Sequence, residues 1–144
     1  MTPKEYLQQY RYAVRRAAAA QEHLLELREI AERITPNYSS EGGGTHQSGD
    51  KLGAAVARIV DAESRVNDEM ELLEATEREV IDTINKVKDT TLNTLLYERY
   101  INGKTFEQIA VQLNYSWRQT CRLHGAALEK VGKMIGQGSE KWNS

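Results

Sequence analysis

The residues best equipped for chemistry sit close together late in this 144-residue chain: Ser116, Trp117, Arg118, Gln119, Cys121 and Arg122. Arg118 and Arg122 are four apart, so on a helix they share one face. Each guanidinium can pair with the edge of a guanine, a contact worth about 1 to 3 kcal/mol of discrimination; the alternative is an ordinary solvated face. Gln119 suits adenine or a phosphate, and Trp117 suits a thymine methyl or a sugar, unless it packs against a neighbouring helix. Lys104 and Thr105 precede another short apolar run, where a lysine and the first amides of a helix suit a phosphate.

Other chemistries find less support. Cys121 and His124 form a lone pair of candidate metal ligands, and His23 and His46 lie far away in sequence, so neither a metal nor another cofactor is expected. The run Gly42 to Gly44 lacks the lysine and helix start of a phosphate-cradling loop. Carboxylates are many but lie on polar flanks, with no apolar enclosure to shift a pKa. The expectation is a binding protein and not an enzyme.

Composition agrees with a helix-rich chain: 40% hydrophobic, 28% charged, 7% aromatic, and only two prolines. One cysteine cannot form an internal disulfide. The N-terminus has no signal-peptide core, and no stretch of about 20 apolar residues could span a bilayer, so a cytoplasmic protein without a membrane partner is expected. The net charge of −2 conceals an asymmetry, because residues 1 to 89 hold 12 Lys and Arg against 17 Asp and Glu, while residues 90 to 144 hold 7 against 4. A basic C-terminal part suits an anionic partner.

The elements that must position these residues follow from periodicity. Tyr6, Tyr10, Ala13, Ala17, Ala20, Leu24, Leu27, Ala31 and Ile34 recur in steps of four and three, which predicts a helix from Pro3 to Ile34 ended by Pro36. Residues 35 to 49, rich in Gly, Ser and Thr, read as a flexible connector. The same stepping from Leu52 through Val56, Ile59, Val66, Met70, Leu73, Val80, Ile84 and Val87 predicts a second helix from Asp50 to Lys88. Glu63 and Glu77 interrupt this seam, either because it drifts or because they fix register through arginine partners. The two helices should fold back as an antiparallel coiled-coil hairpin over residues 1 to 89. Its flanks keep Leu7, Val14, Leu25, Val60, Leu72 and Ile81, whose cover would be a second copy, making a homo-oligomer such as a dimer, or the C-terminal head.

Residues 90 to 136 change grammar. Leu92 to Ile101 forms a third helix closed by Asn102-Gly103. Thr105 and Gln108 make a capping box for a fourth, from Phe106 to Leu113. Asn114 tolerates the left-handed turn, and Ser116 caps a fifth helix to about Ile135, with Thr120, Leu123, Ala127, Leu128, Val131 and Ile135 buried. Residues 137 to 144 read as a flexible tail. The fold class is all-α: a long antiparallel hairpin followed by a three-helix helix-turn-helix head.

The run from Leu95 to Val131 resembles region 4 of sigma-70-type factors. The match rests on Tyr97-Glu98-Arg99-Tyr100, Gly103-Lys104-Thr105, Glu107-Gln108-Ile109-Ala110 and Ala127-Leu128. The overall layout is similar to small phage and prophage proteins of Gram-positive bacteria, akin to the late-gene regulators ArpU and RinA. The resemblance implies a transcription regulator that binds double-stranded DNA near a promoter and touches RNA polymerase. It places the major-groove positions on Trp117, Arg118, Gln119, Cys121 and Arg122. Trp117 and Cys121 depart from the charged or amide residues usual there, so the family's own DNA target is not carried over. Two other readings compete: a DNA-packaging protein of the small-terminase kind, and a protein-docking scaffold without DNA binding.

Overall fold

The structure is a computed structural model that describes residues 1–40 and 46–143, with side chains at 1–34 and 49–136. Among the described residues five helices form: α1 (Pro3–Ser40), α2 (His46–Asn85), α3 (Thr90–Tyr100), α4 (Phe106–Leu113) and α5 (Trp117–Asn143). The fold is all-α, and α1 packs on α2 as a hairpin. None of the described helices is long and apolar enough to cross a membrane.

The long helices extend further into the expected connector than periodicity predicts, while α2 ends at Asn85 and not at Lys88. Helix α1 continues through Pro36 to Ser40 and α2 begins at His46. A proline removes one amide donor and crowds the preceding turn, yet its fixed φ is helical. One lost bond therefore need not end a 38-residue helix. The expected connector shrinks accordingly, and its centre, residues 41 to 45, lies outside the described residues. Helix α5 likewise runs to Asn143, so the backbone expected to be a tail from residue 137 is helical, while the side chains of 137–144 lie outside the described residues.

The chain divides into two compact units, Val14–Leu73 and Met1–Ala13 with Glu74–Ser144. This division falls inside α1 and α2, whereas the sequence suggested one at Asp89.

Within Val14–Leu73, Leu24, Leu27 and Ala62 form a small core edged by Ile59 and Val66. Ala17 and Ala20 are buried beside them in the chain. Arg16 bonds Glu69 at 3.2 Å, and Arg28 bonds Glu63 at 3.1 Å. Partners descend α2 as they ascend α1, which is the antiparallel register. On α2, Ala62, Glu69, Thr76 and Thr83 are buried, one residue before the expected Glu63, Met70, Glu77 and Ile84 in each heptad, although Ile84 and the expected Val80 are buried too. Alanine and threonine fit a narrow seam, and Glu69 enters it paired with Arg16. Glu63 does have an arginine partner, but on the exposed flank.

In the second unit the first turns of α1 and the last of α2 join the head. Leu7, Val80, Ile84, Val87, Leu92, Leu96, Tyr100, Ala127 and Val131 form one core. Leu7, expected on a flank that needed cover, is fully buried by these neighbours. The Tyr6 hydroxyl lies 3.0 Å from Thr83 Oγ1, and Pro3 Cγ would stand only 3.1 Å from a Cβ at Gly132. At the end of α2 the Asn93 amide donates to the carbonyls of Ile84 and Val87, and Asp89 caps α3 by accepting from the Leu92 amide at 3.0 Å. These bonds satisfy helix-end groups that would otherwise lack partners.

Candidate nucleic-acid interface

The α4–turn–α5 corner begins with the expected capping box. Gln108 N donates to Thr105 Oγ1 at 3.2 Å, and Thr105 N donates to Gln108 Oε1 at 2.9 Å. Asn114 ends α4 in the left-handed conformation, with φ 60° and ψ 37°. An L-residue other than glycine takes that conformation most readily when it is Asn or Asp. Ser116 then starts α5 by accepting from the Gln119 amide at 3.1 Å. Thr120 is fully buried as expected, and its hydroxyl donates to the Ser116 carbonyl at 2.9 Å. A buried hydroxyl with a partner carries little penalty.

This corner presents Trp117, Arg118, Gln119 and Arg122 to solvent, with Cys121 half-buried. Among the described residues, no hydrogen bond or ion pair engages the guanidinium of Arg118 or Arg122. Trp117 is 56% exposed, so packing inside against a neighbouring helix is not its role. It lines a shallow cleft with Glu107, Ala110, Val111, Asn114 and Tyr115.

Three expected contact residues are already occupied. The hydroxyls of Thr105 and Ser116 cap their own helices. Lys104 is held most firmly, because its Nζ pairs with Glu98 and donates to Gln112 Oε1 at 2.9 Å. Its backbone N donates to the Glu98 carbonyl at 3.0 Å, and its carbonyl accepts from Arg99 Nη1 at 2.9 Å. Lys104, followed by burial acting in the opposite sense and by Asn102, sets the Glu98 carboxyl below the usual range.

The residues that hold α5 in place were not legible as functional. His124, considered only beside Cys121 as a metal ligand, has its Nε2 2.7 Å from the Tyr100 hydroxyl, stacks on that ring, and meets Phe106 edge-on at a centroid distance of 4.8 Å. Burial, with the nearby cations Arg99 and Lys4, pushes its pKa down to about 4, so the ring is neutral at pH 7. Burial also raises Tyr100 to about 12. Arg99 lies 4.4 Å over Phe106, and Arg11 packs its guanidinium against Gly103, whose φ of +70° suits glycine. Tyr100 and Phe106, fourteen and eight residues ahead of the Asn114 turn, were the available signal, but only folding shows that they converge on His124.

The chain matches no known protein family, curated protein or solved structure in the comparisons made.

Proposed function

We propose that this protein is a phage-type regulator of transcription that reads duplex DNA with α5, in the manner of sigma region 4, and acts in late-gene control. The observation that carries the reading is a capped helix, a left-handed Asn114 turn and a second capped helix whose first two turns expose Arg118, Gln119 and Arg122, both guanidinium groups without a partner among the described residues. Such groups can enter a major groove without first breaking bonds of their own. On this reading the protein works in the cytoplasm, RNA polymerase is a second partner, and the exposed Leu25, Val56, Val60 and Leu72 of the hairpin pair with a second copy.

The test is a binding titration of the full chain on duplex fragments, including those flanking its own gene, across a range of salt. Each phosphate neutralised should add about 0.9 to the slope of log affinity against log salt. Absent or salt-independent binding would reject the reading. Sedimentation should give a dimer, and a closed ring of eight or more subunits would favour DNA packaging.

One observation favours a second reading. Val111 is 79% exposed beside Tyr115 and Trp117, and Glu107 contributes a carboxylate to the same cleft. An apolar, acidic patch suits a protein partner better than a phosphate. If Val111→Glu abolished partner recruitment and left DNA binding intact, the two surfaces would be separate.

A further inference from the structure

The corner between α3 and α4 contains a carboxylate where a DNA-binding head gains from positive charge. Lys104 stands at the entry to α4, the place from which a helix-turn-helix head reaches the sugar-phosphate backbone. Its ammonium is already clasped by Glu98 and Gln112. The lysine side chain keeps 39% of its exposure and the Glu98 side chain only 14%, so the carboxylate lies beneath a cation that still faces outward. A phosphate arriving at Lys104 must displace Glu98 or share the cation with it, at the cost of repulsion between two anions.

Resting on the DNA-binding reading above, we propose that Glu98 is an internal competitor for phosphate, which clasps Lys104 and so lowers the affinity of the head for the DNA backbone. The clasp is separable from the architecture of the corner. The chain path there is held by backbone groups, Lys104 N to the Glu98 carbonyl and Arg99 Nη1 to the Lys104 carbonyl, and neither bond uses the Glu98 carboxylate. Glu98 Oε1 also accepts from Asn102 Nδ2 at 3.2 Å, a bond that a glutamine can keep. The carboxylate is largely covered but its lysine still faces outward, so a phosphate can reach the cation and compete for it, and releasing the clasp should change affinity by a small factor.

The experiment is a double-mutant cycle on the full chain with one duplex fragment, measured by fluorescence anisotropy at several salt concentrations. E98Q should tighten binding about three- to fivefold and steepen the salt slope by up to about 1. In a K104A background the same change should alter affinity by less than about 1.5-fold, the size expected when the partner is gone. E98D keeps the charge but shortens the reach, so a gain in its affinity cannot come from net charge, and it also serves if E98Q melts at a lower temperature than the parent. Equal effects of E98Q in both backgrounds would reduce Glu98 to a general electrostatic contribution and overturn the proposal. Weaker binding by both E98Q and E98D would make the clasp a positioning device, and would overturn it too. If the parent chain shows no salt-dependent DNA binding at all, the DNA reading itself fails, a result distinct from an uncoupled cycle.

Discussion

The unit of Val14–Leu73 and the unit that contains the head solve the same burial problem in different ways. All of the largest fully buried side chains, Leu7, Ile84, Leu95, Leu96, Ile109, Val80, Val131 and Thr120, belong to the second. There, several helices of different direction enclose bulky groups, and caps satisfy the helix ends. The hairpin unit buries a stripe of alanines, two leucines and one carboxylate, while Leu25, Val56, Val60 and Leu72 remain 45% to 58% exposed. Two helices have only one mutual face, so half of each apolar surface stays uncovered however good the heptads are. A closed core and an open one predict different responses to damage.

The largest effect should come from Leu24→Asp, which puts an unpaired carboxylate into the narrow seam. About 4 kcal/mol should be lost, read as early loss of helical circular dichroism in urea. A variant as stable as the parent would show the hairpin core to be looser than its burial indicates. Leu7→Ala tests the other side. It opens a cavity in the head core and should cost about 3 kcal/mol, with near-ultraviolet dichroism of the tyrosines changing in the same transition. A cost below about 1 kcal/mol would show that α1 does not complete the head.

The proposed reading of DNA by α5 can be tested without unfolding anything. Arg118→Ala and Arg122→Ala should each lose about 2 kcal/mol on the preferred duplex and much less on a scrambled one. Equal losses on both would remove α5 as the reading element. His124 should make the head acid-sensitive in a defined window. Its folded pKa of about 4 lies below the ordinary value of 6.5, so the unfolded chain takes up the proton first. Stability from this group is therefore complete above pH 6.5 and is lost as pH falls towards 4, amounting to about 2 kcal/mol after allowance for partial exposure. Urea melts at pH 7 and pH 4.5 should show that component in the parent and not in His124→Phe. Arg28→Ala is the weakest test, because its ion pair with Glu63 is about half exposed on both sides. A loss under about 0.5 kcal/mol is expected, and a larger one would mean that flank ion pairs set the register of the hairpin.

The sequence made the head legible in unusual detail because its signals are local. Thr105 with Gln108, Asn114 and Ser116 each act within four residues, and their roles are decided by backbone valences that any reader of the chain can count. The seam of α2 was legible only in part. Ile59, Val66, Leu73 and Val80 mark one arm of the heptad, but the other falls on Ala62, Glu69, Thr76 and Thr83, of which only the alanine carries an apolar signal. What decides that arm is the space left by the facing helix. The engagement of Lys104 was missed for a related reason: Glu98 and Gln112 lie six and eight residues away on different helices, and nothing in their types announces that they meet. The merger of Leu7 and Ile84 with the head depends on contacts across the length of the chain, which periodicity within one helix does not encode.

The exposed indole of Trp117 also makes the molecule its own optical probe. Tryptophan emission shifts to the blue and changes in yield when water around the ring is replaced, and the only other tryptophan is Trp142. A Trp142→Phe chain, excited at wavelengths that tyrosine does not absorb, would therefore report from a single tryptophan at the first position of α5, within the cleft that includes Val111 and Tyr115. Its spectrum would report occupation of that corner by either duplex or protein, with no added label. Stepwise quenching by iodide and by acrylamide would distinguish the two, since phosphates repel the anion while a covering protein excludes both quenchers.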